Sequence, residues 1–202
     1  MNTKRTKPVI AVDIDDVVFP FVDGIAEYFN SIKGTTLSAK DFLSYHFTEV
    51  WGGTDKETNE VVANFLLMDH LAVAPIAGAK EALNTLKNYF EIYFVTARNG
   101  MFEAQTRKWL ETHVPEVFQN VHFAGNPYDG ISWEEKGSVC KRIGAEFLID
   151  DNVSNLLSAQ AFGVGSILYG NAPWVRADER VNDGMVRCAD WEQVTKYLTG
   201  RR

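Results

Sequence analysis

The stretch VIAVDIDDVVFPF, residues 9–21, decides the fold. It opens on an uninterrupted apolar run, the pattern of a strand covered on both faces rather than one with a wet side. Three carboxylates follow at once, Asp13, Asp15 and Asp16, and the chain then returns to apolar sequence. Like charges this close repel, and carboxylates buried without partners are strongly disfavoured. The rest of the sequence must therefore supply cationic partners for them.

Downstream, EIYFVTARN (91–99), NVHFAG (120–125), AEFLIDDN (145–152) and GVGSILYG (163–170) read as further strands. Helical patterns separate them. Ala79, Ala82, Leu83, Leu86 and Phe90 line one face of an amphipathic helix. Others are expected near 101–112, across SWEEKGSVCKRIG (132–144) with a capping box from Ser132 to Glu135, through Leu156 and Leu157, and near 190–199. Strands alternating with helices predict an α/β domain with a mainly parallel sheet. Residues 18–76 interrupt the alternation directly after the first strand. Val22, Ile25, Ala26 and Phe29 keep helical spacing there, and another helix is expected near 57–69. The pattern predicts a core from 1–17 and 77–202 and a small helical insertion from 18–76.

Bulk composition narrows the function. The chain has 202 residues, 46% of them apolar and 23% charged, as in ordinary globular proteins. A net charge of −7 argues against nucleic-acid polymers and anionic membranes as partners. Small phosphorylated substrates stay open, because a bound cation reverses the local field. Cys140 and Cys188 fit neither a zinc site nor a disulfide framework. The basic start MNTKRTKP lacks the apolar run of a signal peptide, and no stretch is long enough to suggest a membrane span, so a cytoplasmic location is expected.

In open parallel sheets, ligands bind beyond the carboxyl ends of the strands. The first strand delivers Asp13 and Asp15 to that edge, the second Thr96, Arg98 and Asn99, and a later one Asp150 and Asp151. A lysine comes from EEKGSVCKRIG. Val139, Cys140 and Ile143 follow Lys136 by three, four and seven residues, so Lys136 shares their sheet-facing stripe and Lys141 does not. A lysine on a buried stripe needs an anionic partner, and the aspartates provide one.

Asp13-x-Asp15, Thr96, Lys136 and Asp150-Asp151, in this order, resemble the four motifs of the haloacid dehalogenase-like (HAD) superfamily, as does an insertion where that superfamily places a cap. The resemblance covers residues 9 to about 155. It implies a Rossmann-like three-layer sandwich and a Mg²⁺-dependent phosphomonoesterase. Asp13 would be the nucleophile and Asp15 the general acid and base. Thr96 and Lys136 would hold the phosphoryl oxygens. Asp13, Asp15 through its carbonyl, and Asp150 would bind Mg²⁺, with Asp151 assisting. Mg²⁺ suits such a set, being hard and selective for oxygen.

Several positions carry two readings. Arg98 is either a second phosphate ligand or an exposed loop arginine. Asp151 is either a metal-site residue or a helix cap. Asp16 stands where glycine is usual and is either an outer metal ligand or a helix-start acid. Val17 replaces a frequent threonine. Tyr45, Phe47 and Trp51 either stack on a base or form the insertion's own core, and Tyr128 either touches substrate or belongs to a turn. DIDDVVFPF, LIDDN and YGNAPW followed by DW look most like the 5′-nucleotidase group that includes the deoxyribonucleotidases. That resemblance implies a nucleoside monophosphate as substrate, with another small phosphomonoester as the alternative, and leaves a homodimer open. A signalling receiver domain shares the residue types, but it places its lysine after a late strand, whereas Lys136 precedes Asp150.

Overall fold

The computed structural model describes residues 7–125, 133–177 and 180–201. Tyr128 and Ser132 lie outside these. Six parallel strands form one sheet in the order β3-β2-β1-β4-β5-β6. They are β1 (Val9–Val12), β2 (Glu91–Thr96), β3 (Val121–Phe123), β4 (Ala145–Asp150), β5 (Gly165–Tyr169) and β6 (Met185–Cys188). This is the doubly wound order, with the direction of winding reversing between β1 and β4. The middle of the central strands is apolar because helices cover both faces: Ile10, Ala11, Val12, Phe94, Leu148 and Ile149 are completely buried.

Register decides which residues meet at the sheet edge. Val12 pairs with Phe94 on one side and with Ile149 on the other. The next residues, Asp13 and Asp150, therefore emerge side by side. The Asp13 N–H extends the ladder by donating to the Ile149 carbonyl at 2.9 Å. Thr96 closes β2, two residues past Phe94.

Between β1 and β2 run α1 (Phe21–Lys33), α2 (Phe47–Trp51), α3 (Asp55–Leu66) and α4 (Ala79–Leu86). The first three occupy the interval expected to be inserted. An aromatic cluster packs them. Phe29 stacks on Trp51 at 4.4 Å between centroids, and Phe65 meets Phe21 edge-on at 5.5 Å. Thr54 and Glu57 cap α3 reciprocally, which starts that helix two residues earlier than its apolar pattern suggests. Phe19 contacts both Phe65 and Trp109, tying these helices to α5 (Glu103–His113).

The later helices are α6 (Lys136–Ile143), α7 (Val153–Ala161), α8 (Pro173–Ala177) and α9 (Trp191–Thr199). α6 and α7 lie together over β4, and α4 packs with α9. Gly137 allows the first approach: a Cβ there would sit 2.5 Å from the Ser158 main-chain carbonyl. α6 starts later than the sequence pattern predicts. Glu134 and Glu135 precede it, their carboxylates taken by Ser138 and Arg142 and by Ser158, and Glu135 is the N-cap in extended backbone. α2, α8 and β6 have no counterpart in the sequence pattern. Each is five residues or fewer, too short for periodicity to register.

Candidate active site

At the carboxyl ends of β1 and β4, Asp13, Asp150 and Lys136 form one buried ion cluster. Lys136, the first residue of α6, places its ammonium 2.8 Å from Asp13 Oδ1 and 2.8 Å from Asp150 Oδ2. Its side chain is 3% exposed, and those of Asp13 and Asp150 are 7% and 0% exposed. The Ile14 N–H adds a 2.7 Å bond to Asp13 Oδ1. Both partners thus fall on one oxygen of Asp13, which leaves Oδ2 for a ligand.

Electrostatics follow from this burial. Desolvation, with Asp150, Asp151 and Asp15 adding repulsion, pushes the Asp13 carboxyl well above its ordinary value, although Lys136 pulls the other way. Desolvation alone would depress Lys136, but the charges of Asp13 and Asp150 outweigh it and hold the ammonium above its usual range. Asp151 is raised by burial and by Asp150, partly countered by the Trp174 indole.

Asp150 has little capacity to spare. Besides Lys136, it accepts the Asn152 N–H at 2.8 Å, and the Asn155 amide reaches both of its oxygens at 3.2 Å. Asp151 accepts the Trp174 indole N–H on Oδ2 at 2.7 Å, and its carbonyl accepts the Tyr45 hydroxyl. It does not cap α7, a role the Asn152 side chain takes. One carboxylate oxygen each from Asp13, Asp150 and Asp151 lie within 4.8 Å of one another. Hard, anionic, all-oxygen and buried, this donor set fits a divalent cation of the Mg²⁺ type.

Asp15 and Arg98 form a second pair. The guanidinium is 5% exposed and holds Asp15 at 2.6 Å through Nη2 and at 3.0 and 3.2 Å through Nε. Nη1 donates to Thr106 Oγ1 at 3.0 Å, and the group lies 4.9 Å over the Phe19 ring. Arg98 is thus neither exposed nor free. Thr96 is fully buried; its Oγ1 accepts the Arg98 N–H at 3.1 Å, fixing the loop that carries Arg98. Asp16 lines the same cavity and its charge helps raise Asp151, while one of its oxygens is engaged locally. It has φ +56°, the left-handed conformation that favours glycine, and its Oδ1 accepts the Val22 N–H in the first turn of α1 at 3.0 Å. It is the helix-start acid.

A cavity of about 410 Å³ opens above Asp13, Asp15, Lys136 and Asp151 and reaches into the helices after β1. Phe21, Phe42, Tyr45 and Phe47 give it an apolar wall, and Ser44, His46, Thr58 and Asn59 add polar groups. Trp51 belongs instead to the small core, stacked on Phe29 with its N–H on Thr58. Asn155, Thr106 and Trp174 are the partners that sequence reading missed. No motif marks the first two; Trp174 ends YGNAPW, noted only as a resemblance.

Across residues 7–201 the sequence matches the family described as 5′ nucleotidase, deoxy (pyrimidine), cytosolic type C protein. The chain belongs to this family. That membership makes it a nucleotidase, a phosphatase by class. It is 27% identical over 198 residues to the 5′(3′)-deoxyribonucleotidase of Bacillus subtilis, covering 95% of this chain and 99% of that one. Solved structures share its fold. A haloacid dehalogenase-like hydrolase of Streptococcus pneumoniae superposes with a TM-score of 0.67 at 14% identity, covering 95% and 98% of the two chains. The D,D-heptose 1,7-bisphosphate phosphatase of B. bronchiseptica, complexed with magnesium and phosphate, gives 0.59 at 13% identity over 96% and 99%. Among the described residues no helix of this nucleotidase is long and apolar enough to cross a membrane.

Proposed function

We propose that this nucleotidase hydrolyses (deoxy)nucleoside 5′-monophosphates with Mg²⁺, through an aspartyl-phosphate on Asp13. The observation that carries the reading is the asymmetry of Asp13, a residue that lines the cavity: Lys136 and the Ile14 N–H both hold Oδ1 and neither engages Oδ2. A carboxylate fixed by one oxygen presents the other as a nucleophile.

In the first step Asp13 Oδ2 attacks phosphorus and the bond to the sugar oxygen breaks. Asp15 is the acid that gives a proton to the departing oxygen. Asp15 is then a carboxylate, the form paired with Arg98. In the second step it takes a proton from water, the resulting hydroxide attacks phosphorus, and the bond to Asp13 breaks. Inorganic phosphate leaves and Asp13 is restored. Lys136 keeps Asp13 oriented and offsets charge on the phosphoryl group. Asp13, the Asp15 carbonyl, Asp150 and Asp151 would hold Mg²⁺, which supplies charge neutralisation to the phosphoryl oxygens. Thr96 steadies the phosphate loop through Arg98, and Arg98 acts on Asp15 ahead of any direct phosphate contact.

Residues 18–76 act as the cap and supply the wall on which the nucleoside rests, with Tyr45 and Phe47 nearest the base. The charge pattern favours monophosphates. The cations lining the cavity among the described residues, Lys136 and Arg98, are both already paired with aspartates. A second phosphate would meet carboxylates.

The test is phosphate release from a panel of nucleoside mono-, di- and triphosphates, with Mg²⁺ or EDTA, for wild type and Asp13→Asn. Monophosphate turnover that needs both Asp13 and the cation supports the mechanism. Turnover surviving the substitution and the chelator rejects it. A single stoichiometric uptake of phosphate, without turnover, would instead identify a receiver-like acceptor.

A further inference from the structure

We propose that Trp174 is a positioning residue for the cation site, acting through Asp151. The inference rests on the reading above that the acid cluster holds a divalent cation.

Trp174 sits in α8, after β5, at the end of YGNAPW and 23 residues from Asp151. Its ring is 6% exposed and lines the cavity. The indole N–H can only donate. It donates to Asp151 Oδ2 at 2.7 Å in a buried contact, a charge-assisted bond at the short end of the normal range. The carboxylate torsion of aspartate is broad and nearly two-fold, so an unrestrained Asp151 would sample many orientations. Engaging Oδ2 selects one of them, and one carboxylate oxygen of the residue so oriented lies within 4.8 Å of oxygens from Asp13 and Asp150.

The main chain of the same residue is fixed independently, since the Tyr45 hydroxyl donates to the Asp151 carbonyl. α8 itself packs against the turn at residues 39–41, so Trp174 is wedged between the loop it supports and the inserted helices. A tryptophan needed only for volume would not require an N–H aimed at a carboxylate. Its burial there would expel water that could otherwise satisfy Asp151, and the indole replaces that water with one directed donor. Outer partners of this kind tune affinity: losing one weakens metal binding by about 10- to 100-fold.

The experiment is calorimetric titration of Mg²⁺, with Mn²⁺ as a second probe, into the whole protein after EDTA treatment and removal of the chelator. Wild type, Trp174→Phe and Asp151→Asn are compared. Phenylalanine keeps an aromatic ring and lacks the donor. The expected result is a dissociation constant about 10- to 100-fold weaker for Trp174→Phe, with lost turnover recovered by added Mg²⁺. A purely structural tryptophan would lower the thermal midpoint in EDTA and leave the cation affinity of the folded protein unchanged, and that result overturns the proposal. Absence of cation binding in wild type would overturn the cation-site reading itself, a separate failure. A second measurement needs no variant. The chain has five tryptophans, and in the ¹⁵N-labelled wild type one indole N–H signal should move along the calorimetric binding curve. If none moves, Trp174 does not act on the site.

Discussion

Replacing Lys136 by methionine tests the electrostatic logic of the site most directly. The ammonium is buried between two carboxylates at 2.8 Å each, and methionine fills a similar volume without charge. Removing one member of a buried ion pair typically costs about 3–5 kcal/mol. An independent limit comes from protonation, because one of the abandoned carboxylates can become neutral instead. Keeping a carboxyl of ordinary value near 3.9 protonated at pH 7 costs about 4 kcal/mol, from roughly 3 units at 1.36 kcal/mol each. The two routes agree, so a loss of about 4 kcal/mol is expected at pH 7 in EDTA, or about 8–16 °C in thermal midpoint for a chain of this size.

The protonation route also fixes the sign with pH. A buried carboxyl raised in the folded state binds a proton there more readily than in the unfolded chain, so its penalty grows as pH rises above about 4 and shrinks on acidification. The cost of Lys136→Met should fall to about 1.5 kcal/mol at pH 5. Urea unfolding of wild type and variant at both pH values, in EDTA, measures this. Adding Asp150→Asn to the variant should restore part of the loss at pH 7, since one abandoned charge is then gone. A cost below about 1 kcal/mol at pH 7, or one equal at both pH values, would refute the claim that this lysine neutralises the cluster.

Three further outcomes follow from the packing. Gly137→Ala forces a Cβ to within 2.5 Å of the Ser158 carbonyl, so α6 and α7 must separate; about 1–3 kcal/mol should be lost in chemical denaturation. Both cysteines are buried, with burial pushing Cys140 up to about 12 and Cys188 up to about 11. A disulfide-exchange reagent at pH 8 should therefore find no reactive thiol in the folded protein and two in urea. Burial lowers the value of His70, with Arg98 adding to it against the hydrogen bond to the Phe65 carbonyl. The stability its neutral ring contributes is present above its unfolded value near 6.5 and is lost as pH falls below it. The urea-midpoint difference between wild type and His70→Gln should thus narrow from pH 7.5 to pH 5.5.

Local pattern carried most of the fold into view. The continuous apolar run at 9–12 and the buried stretch AEFLI at 145–149 are central strands, and the stripe of Val139 and Cys140 does turn Lys136 inward. Asp13 and Asp150 could be set side by side because strand ends are legible and parallel register follows from them. What stayed hidden depends on contacts between distant segments. The spacing within VTARN does not reveal that Arg98 folds back onto Asp15 and Thr106, because that choice is made by the Phe19 ring beneath it. The edge strand β6 is only four residues long and half-exposed, so it lacks the apolar run that identifies its neighbours. The indole of Trp174 meets Asp151 across 23 residues of chain, beyond the reach of any periodicity.

The acids of the opening stretch and of its partner strand differ in the set of neighbours that holds each, although Asp13 and Asp150 share Lys136. Asp16 is occupied by the start of α1. Asp15 is held by a guanidinium, a fixed fork that grips both carboxylate oxygens, which is consistent with the acid–base role proposed for it. Asp13 is held by an ammonium on one oxygen, which leaves the other to react. Asp150 spends its oxygens on that same ammonium and on Asn155, so it orients Lys136 as much as it serves a cation. The Asp151 side chain is constrained by the Trp174 indole, a donor that carries no charge. Five identical side chains thus become five distinct groups, distinguished by burial and by the geometry of their partners.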